Sequence, residues 1–168
     1  RPLYYGGRCE KYELDERKGK GQDITDYFEV RNQLLQKGYQ EEEKSDKISI
    51  GIPRALMVFY QHFPFWRTFF EQLGFRVVVS DESDNNLIKK SLEMIVAETC
   101  YPVELVHGHI DDLFNKEVDY VFAPFIINAK AEEDNPTANY NCPWIQTYPF
   151  MVKPSLMEDQ KKRLLTPT

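Results

Sequence analysis

Cys9, Cys100 and Cys142 are the only thiols in this 168-residue chain. Thiolates are soft, anionic ligands, and three of them around one open position suit an iron–sulfur cluster or an open metal site. The gaps between them are 91 and 42 residues, so no pair has the close spacing of a zinc knuckle or a Cys-x-x-Cys redox motif. One site can arise only if the fold brings three separate segments together.

Each cysteine has its own context. Cys100 stands in Glu98-Thr99-Cys100-Tyr101-Pro102, just before a predicted helix start. Free backbone N–H groups and the positive end of the helix dipole favour a thiolate there; the alternative is an inert, buried cysteine. Cys142 stands in Tyr140-Asn141-Cys142-Pro143. Iron–sulfur ligands often precede proline; the alternative is a loop cysteine without function. Cys9 lies in Gly7-Arg8-Cys9-Glu10, within a polar, glycine-dotted arm that has no core of its own. Either a cluster ties this arm down or the arm is disordered.

Other candidates are weaker. His107 and His109 flank Gly108, and residues two apart on a helix point to different faces. A joint metal site is therefore disfavoured, at most one of the two reaches the ligand crevice, and packing is the better expectation. Arg54 follows an apolar strand in Gly51-Ile52-Pro53-Arg54-Ala55. A strand-to-helix turn with arginine can hold an anion, but it lacks the further glycines and the Lys-Ser/Thr of a phosphate loop. An ordinary turn is the alternative. No Ser-His-Asp arrangement or nucleophile elbow is present.

The elements that must position these residues follow from hydrophobic pattern. Short apolar runs at 48–52, 75–79, 118–123 and 144–148 read as strands. Helical spacing covers 23–38, capped by Asp23 and stopped by Gly38, then 54–73 with a break near Pro64, 84–97, 102–115 and 155–165. In the second of these, Phe59, Phe63, Trp66, Phe69, Phe70 and Leu73 are expected to face the sheet. Such alternation predicts an α/β fold, Rossmann-like or flavodoxin-like, with a mostly parallel sheet of about four strands and flanking helices. Residues 1–46 read as an N-terminal arm and helix, and 47–168 as the α/β domain. Ligands of such folds sit beyond the carboxyl ends of the strands. Cys100, Arg54 and the polar loop 126–141 are expected at that edge.

Composition bounds the function. The apolar share of 42 % supports a core, and 14 % aromatic residues make that core ring-rich. A net charge of −6 argues against nucleic acid as a partner, because phosphate binding needs a basic face. No apolar run is long enough to span a membrane. An odd cysteine count fits a reducing compartment, so a cytoplasmic location is expected. A start at Arg1 and an end at Thr168 fit a piece of a longer polypeptide.

The runs Ile50-Gly51-Ile52-Pro53-Arg54-Ala55-Leu56, Glu98-Thr99-Cys100-Tyr101-Pro102 with His107-Gly108-His109, and Asn141-Cys142-Pro143, together with Arg8-Cys9-Glu10, resemble the signature of the acyl-CoA dehydratase activase-related domain. The resemblance covers about residues 1–153, and the ordered set is more specific than any one run. It implies a domain of a very long protein of anaerobic bacteria. A part resembling the ATP-dependent activase of 2-hydroxyacyl-CoA dehydratases precedes the domain in that family, and a dehydratase-like part follows it.

What the resemblance implies is iron–sulfur chemistry. Cys9, Cys100 and Cys142 would hold one [4Fe–4S] cluster with an open iron, and the domain would accept or relay electrons. Such a cluster is expected to be oxygen-labile and absent from the isolated chain. The chain has no ATP-binding loops, so it should not hydrolyse ATP alone. Its partners would be the other domains of the parent polypeptide and a CoA-linked dehydratase. A non-catalytic scaffold joining activase and dehydratase-like parts is the alternative. A zinc site completed by His109 or an acidic residue is a third.

Overall fold

A computed structural model describes residues 25–129 and 139–168. Helix α1 (Tyr27–Leu35) starts at Asp26, whose carboxylate accepts from the N–H groups of Phe28 and Glu29 at 2.9 and 3.2 Å. The expected cap, Asp23, lies outside the described residues. Beyond Gly38, the Tyr39 hydroxyl donates to the Val77 carbonyl at 3.2 Å and its ring meets Phe63 edge-on. The segment after α1 is thereby fastened to the sheet.

Strand β1 (Ser49–Ile52) is buried throughout. The long helix expected next is two helices, α2 (Leu56–Tyr60) and α3 (Phe63–Gln72). Pro64 sits in the first turn of α3, where its missing N–H costs nothing. Gly74 follows with a φ of 86°, a left-handed turn that glycine makes without a Cβ clash, and leads into β2 (Arg76–Val79). Phe59, Phe63 and Phe70 are buried, and Trp66 packs on Phe122 with ring centroids 4.6 Å apart. Phe69 and Leu73, expected against the sheet, are instead exposed at 44 % and 59 %. Phe69 is one residue, or about 100° of helix, away from the inward-facing Phe70.

The β2-to-β3 crossover holds two helices, α4 (Asn85–Met94) and α5 (Tyr101–Asn115). They pack closely because Gly108 has no side chain: a Cβ there would lie 2.1 Å from Ser91 Oγ and 2.8 Å from the Leu87 carbonyl. Ser91 Oγ donates to that carbonyl and accepts from the Gly108 N–H.

Strand β3 (Tyr120–Phe122) is followed by helix α6 (Pro143–Val152), a 3-10 turn (Lys153–Ser155), helix α7 (Glu158–Arg163) and strand β4 (Leu164–Leu165). Here two expectations fail. Residues 144–148 are helix, not strand. A short apolar run does not separate a strand from a buried helix, and Pro143 supplies a helix start. The fourth strand lies inside the helix expected at 155–165, and two residues are too few to show a period.

All four strands are parallel, in the order β2-β1-β3-β4. Successive side chains alternate between faces. Val78, Val121 and Leu164 join α5 and α6 in one apolar cluster; Val77, Val79, Ile50, Ile52 and Phe122 join α2 and α3 in another. No helix among the described residues is long and apolar enough to cross a membrane.

Candidate functional site

Strand order reverses between β1 and β3, so the crevice favoured by ligands lies beyond their carboxyl ends. Two groups of candidate residues meet that edge.

The first group is built around Arg54. Its backbone N–H donates to Ser80 Oγ at 2.7 Å; its side chain reaches the Ser80 carbonyl, Glu82 and Gln36 at 3.2, 2.9 and 3.3 Å. The guanidinium also stands over the Phe59 ring. Each guanidinium nitrogen thus has one partner inside the protein, with three of the five N–H groups bonded, and α2 is too short to offer a helix-end site. Leu56 follows with a left-handed φ of 48°, strain that the surrounding packing holds in place.

Ser80 links Arg54 to His109, which is 1 % exposed. Ser80 Oγ lies 2.9 Å from His109 Nδ1, and Ser83 Oγ 3.0 Å from Nε2. Ser80 Oγ also accepts from the Arg54 N–H, and each ring nitrogen of His109 meets one serine hydroxyl, a group that both donates and accepts. Burial first, and the nearby Arg54 charge second, lower the His109 pKa to about 4, so the ring is neutral at pH 7. Both nitrogens are engaged, and His109 has no lone pair left for a metal. Sequence pattern offered Arg54 as an anion site or an ordinary turn and His109 as a packing residue or zinc ligand; the geometry joins the two through Ser80.

The second group is the cysteines. Cys100 and Cys142 are free and exposed. Each is the N-cap of a helix, α5 and α6 respectively, and neither side chain makes a cap hydrogen bond. Proline follows in the first turn of both helices. Val103 of α5 packs in the same cluster as Ala55, which follows the end of β1. Asn141, before Cys142, is tied to the stretch after β3: its N–H donates to Ile127 O and its Nδ2 to Ile126 O, at 3.0 and 2.9 Å. Both helices are crossovers that return the chain to the amino edge, so both cysteine turns belong to the carboxyl edge. Cys9 lies outside the described residues.

Some buried polar groups on these helices have no partner among the described residues. His107 Nδ1 donates to the Glu104 carbonyl at 3.1 Å, which leaves Nε2 a bare, buried acceptor. The Tyr148 hydroxyl is buried and unpartnered, and burial raises its pKa. His107 and His109 do point apart, and both serve the interior of the fold.

Thiolates are the donors that iron–sulfur groups take. Two free, exposed thiols at helix starts on one edge are suitable donors. Among the described residues, no group of three or more His, Cys, Asp or Glu side chains is placed to hold a metal. A three-thiol site therefore needs Cys9.

Two residues beside the cysteines were not anticipated. Glu104 accepts from the Thr99 N–H at 2.9 Å, and Gln146 donates to the Asn141 carbonyl at 2.6 Å. Each stands four residues after a cysteine. That shared spacing, Cys-x-x-x-Glu and Cys-x-x-x-Gln, is the signal that could have revealed them.

A four-stranded parallel sheet in the order β2-β1-β3-β4, flanked by helices, is an α/β unit of the Rossmann- and flavodoxin-like class, here with two free thiols at its carboxyl edge. The chain belongs to the family described as CoA enzyme activase uncharacterised domain, which matches residues 49–168. The match includes Cys100 and Cys142 and excludes the arm with Cys9. No curated protein and no solved structure matches the chain.

Proposed function

We propose that this domain is a [4Fe–4S]-binding redox module of an activase and 2-hydroxyacyl-CoA dehydratase-like system. Cys100 and Cys142 would supply two ligands and Cys9 the third. The observation that carries the proposal is the shared design of the two described cysteines: each is a free, exposed helix N-cap on the same sheet edge. First-turn N–H groups and the helix dipole favour negative charge at such positions. When bound, the cluster would accept and pass on single electrons. The protein's part is to hold the thiolates, leave one position open and exclude competing side chains. With its ring nitrogens bonded to Ser80 and Ser83, His109 does not compete. The dehydratase-like and activase-like parts are the proposed partners.

Anaerobic reconstitution with iron and sulfide tests this. The expected result is retained iron and sulfide near cluster stoichiometry, with a broad visible band and a reduced-state EPR signal. Desalted chain without iron would reject it.

A second reading, a non-catalytic scaffold joining those parts, is favoured by one observation. Phe65, Phe69 and Leu73 leave an apolar row exposed around α3, at 62 %, 44 % and 59 %, and isolated monomers rarely keep large contiguous apolar patches. Polar substitution of Phe65 and Phe69 separates the two: the scaffold loses association with its neighbours while any cluster remains.

A further inference from the structure

The two cysteine turns carry the same brace with opposite polarity. In both, the residue four positions after the cysteine reaches back around the helix start to the backbone of the residue before it. Glu104, 8 % exposed, accepts from the Thr99 N–H. Gln146 donates its Nε2 hydrogen to the Asn141 carbonyl. The cysteine is thus enclosed between a helical first turn and a side-chain clamp. On the helix side, Val103 and Glu104 N–H groups donate to the Cys100 carbonyl, and Ile145 and Gln146 N–H groups to the Cys142 carbonyl. In neither turn does the sulfur take part, so the backbone is fixed while the thiol stays free.

We infer that Glu104 and Gln146 are positioning residues that fix the backbone of the two cysteine turns, and with it the Cα–Cβ direction of Cys100 and Cys142. The inference rests on the proposed role of these thiols as ligands. Its physical basis is that ligands held by supporting hydrogen bonds need less ordering when a metal group binds. An ordinary helix cap would use the side chain of the N-cap residue itself. Here that position is a cysteine, which leaves its sulfur outward, and the bracing passes to the next turn.

Polarity gives the test its resolution. At position 104 the brace is an acceptor, so Glu104→Gln keeps it through the amide oxygen, and Glu104→Ala removes it. At position 146 the brace is a donor, so Gln146→Glu removes it and sets a carboxylate against the Asn141 carbonyl. The experiment measures alkylation of Cys100 and Cys142 by iodoacetamide in the metal-free chain, with each site followed by peptide mass spectrometry. Glu104→Ala should raise the Cys100 rate as the turn loosens, by up to about fivefold, the limit set by one net hydrogen bond, and leave Cys142 unchanged. Glu104→Gln should restore the rate found in the original chain. Gln146→Glu should change Cys142 alone.

Equal changes at both cysteines would mean general loosening and would overturn the assignment. So would unchanged rates in Glu104→Ala and Gln146→Glu. A rise in Glu104→Gln equal to that in Glu104→Ala would also overturn it, because the effect would then come from charge. Thermal unfolding of each variant identifies any that fails to fold; Glu104→Met, which removes the brace but keeps the bulk and helix preference, then replaces Glu104→Ala, and Gln146→Ala replaces Gln146→Glu. These rates require no cluster. Failure of the bracing model is therefore distinguishable from failure of the iron–sulfur proposal, which reconstitution measures separately.

Discussion

The loop after β1 and the turns before α5 and α6 share one edge of the sheet, but they treat their polar groups in opposite ways. Around Arg54 each guanidinium nitrogen has a partner inside the protein, and the buried His109 ring is held between two serines. Around Cys100 and Cys142 the backbone is equally well bonded, yet the thiols face solvent without partners. The residue with the charge most suited to binding is part of the framework, and the residues with no charge pattern at all are the ones left available. Chemical suitability in a sequence is thus a poor guide to availability. The hydrogen-bond partners decide it.

Acid should break the first region most strongly. The folded-state pKa of His109 lies below its ordinary value of 6.5, at about 4. Between those values the unfolded chain takes up a proton that the folded chain refuses. Stability is therefore intact above about pH 6.5 and falls as pH drops toward 4, by about 3 kcal/mol from this group. His109→Gln keeps a donor and an acceptor without titrating. Denaturant unfolding at pH 7 and pH 4.5 should show a smaller acid loss in that variant; an equal loss would remove His109 from the account.

Packing gives the next largest effect. Gly108→Ala should destabilise the chain by about 2 to 3 kcal/mol, because the new methyl meets both Ser91 Oγ and the Leu87 backbone. Arg54→Ala should follow at about 2 kcal/mol, with faster amide exchange in α1 because the link to Gln36 is lost. Chemical denaturation reads both. A neutral Gly108→Ala would show that α4 and α5 can separate freely.

Much of this architecture was legible in the residues. The runs at 48–52, 75–79 and 118–123 are rich in β-branched and aromatic residues, and each contains a parallel strand. Pro64, Gly74 and Pro102 marked helix boundaries through backbone chemistry that context rarely overrides. The run at 144–148 misled because a short segment with Trp144, Ile145 and Tyr148 has no decisive period, and the helix start at Pro143 decides its conformation. β4 was invisible because neighbouring strands, and not its own two residues, create it. At the site, Pro102 foretold the helix start after Cys100, whereas the helix start after Cys142 was missed because 144–148 reads as a strand. The roles of Ser80, Ser83, Glu104 and Gln146 could not be seen, because each depends on which atom a side chain reaches.

The smallest effects on stability belong to the cysteines. Cys100→Ala and Cys142→Ala should change unfolding free energy by no more than about 0.5 kcal/mol, because both side chains are exposed and make no cap bond. A loss comparable to Gly108→Ala would assign them a structural role and erase the contrast between the two regions.

Iron and acid-labile sulfide per chain, measured after anaerobic reconstitution of Cys9→Ala, Cys100→Ala and Cys142→Ala, test the central claim most directly. The account predicts that each variant folds and that each loses the bound iron and the reduced EPR signal of the parent chain. Iron retained undiminished without Cys100 or without Cys142 would contradict a single cluster shared by these thiols.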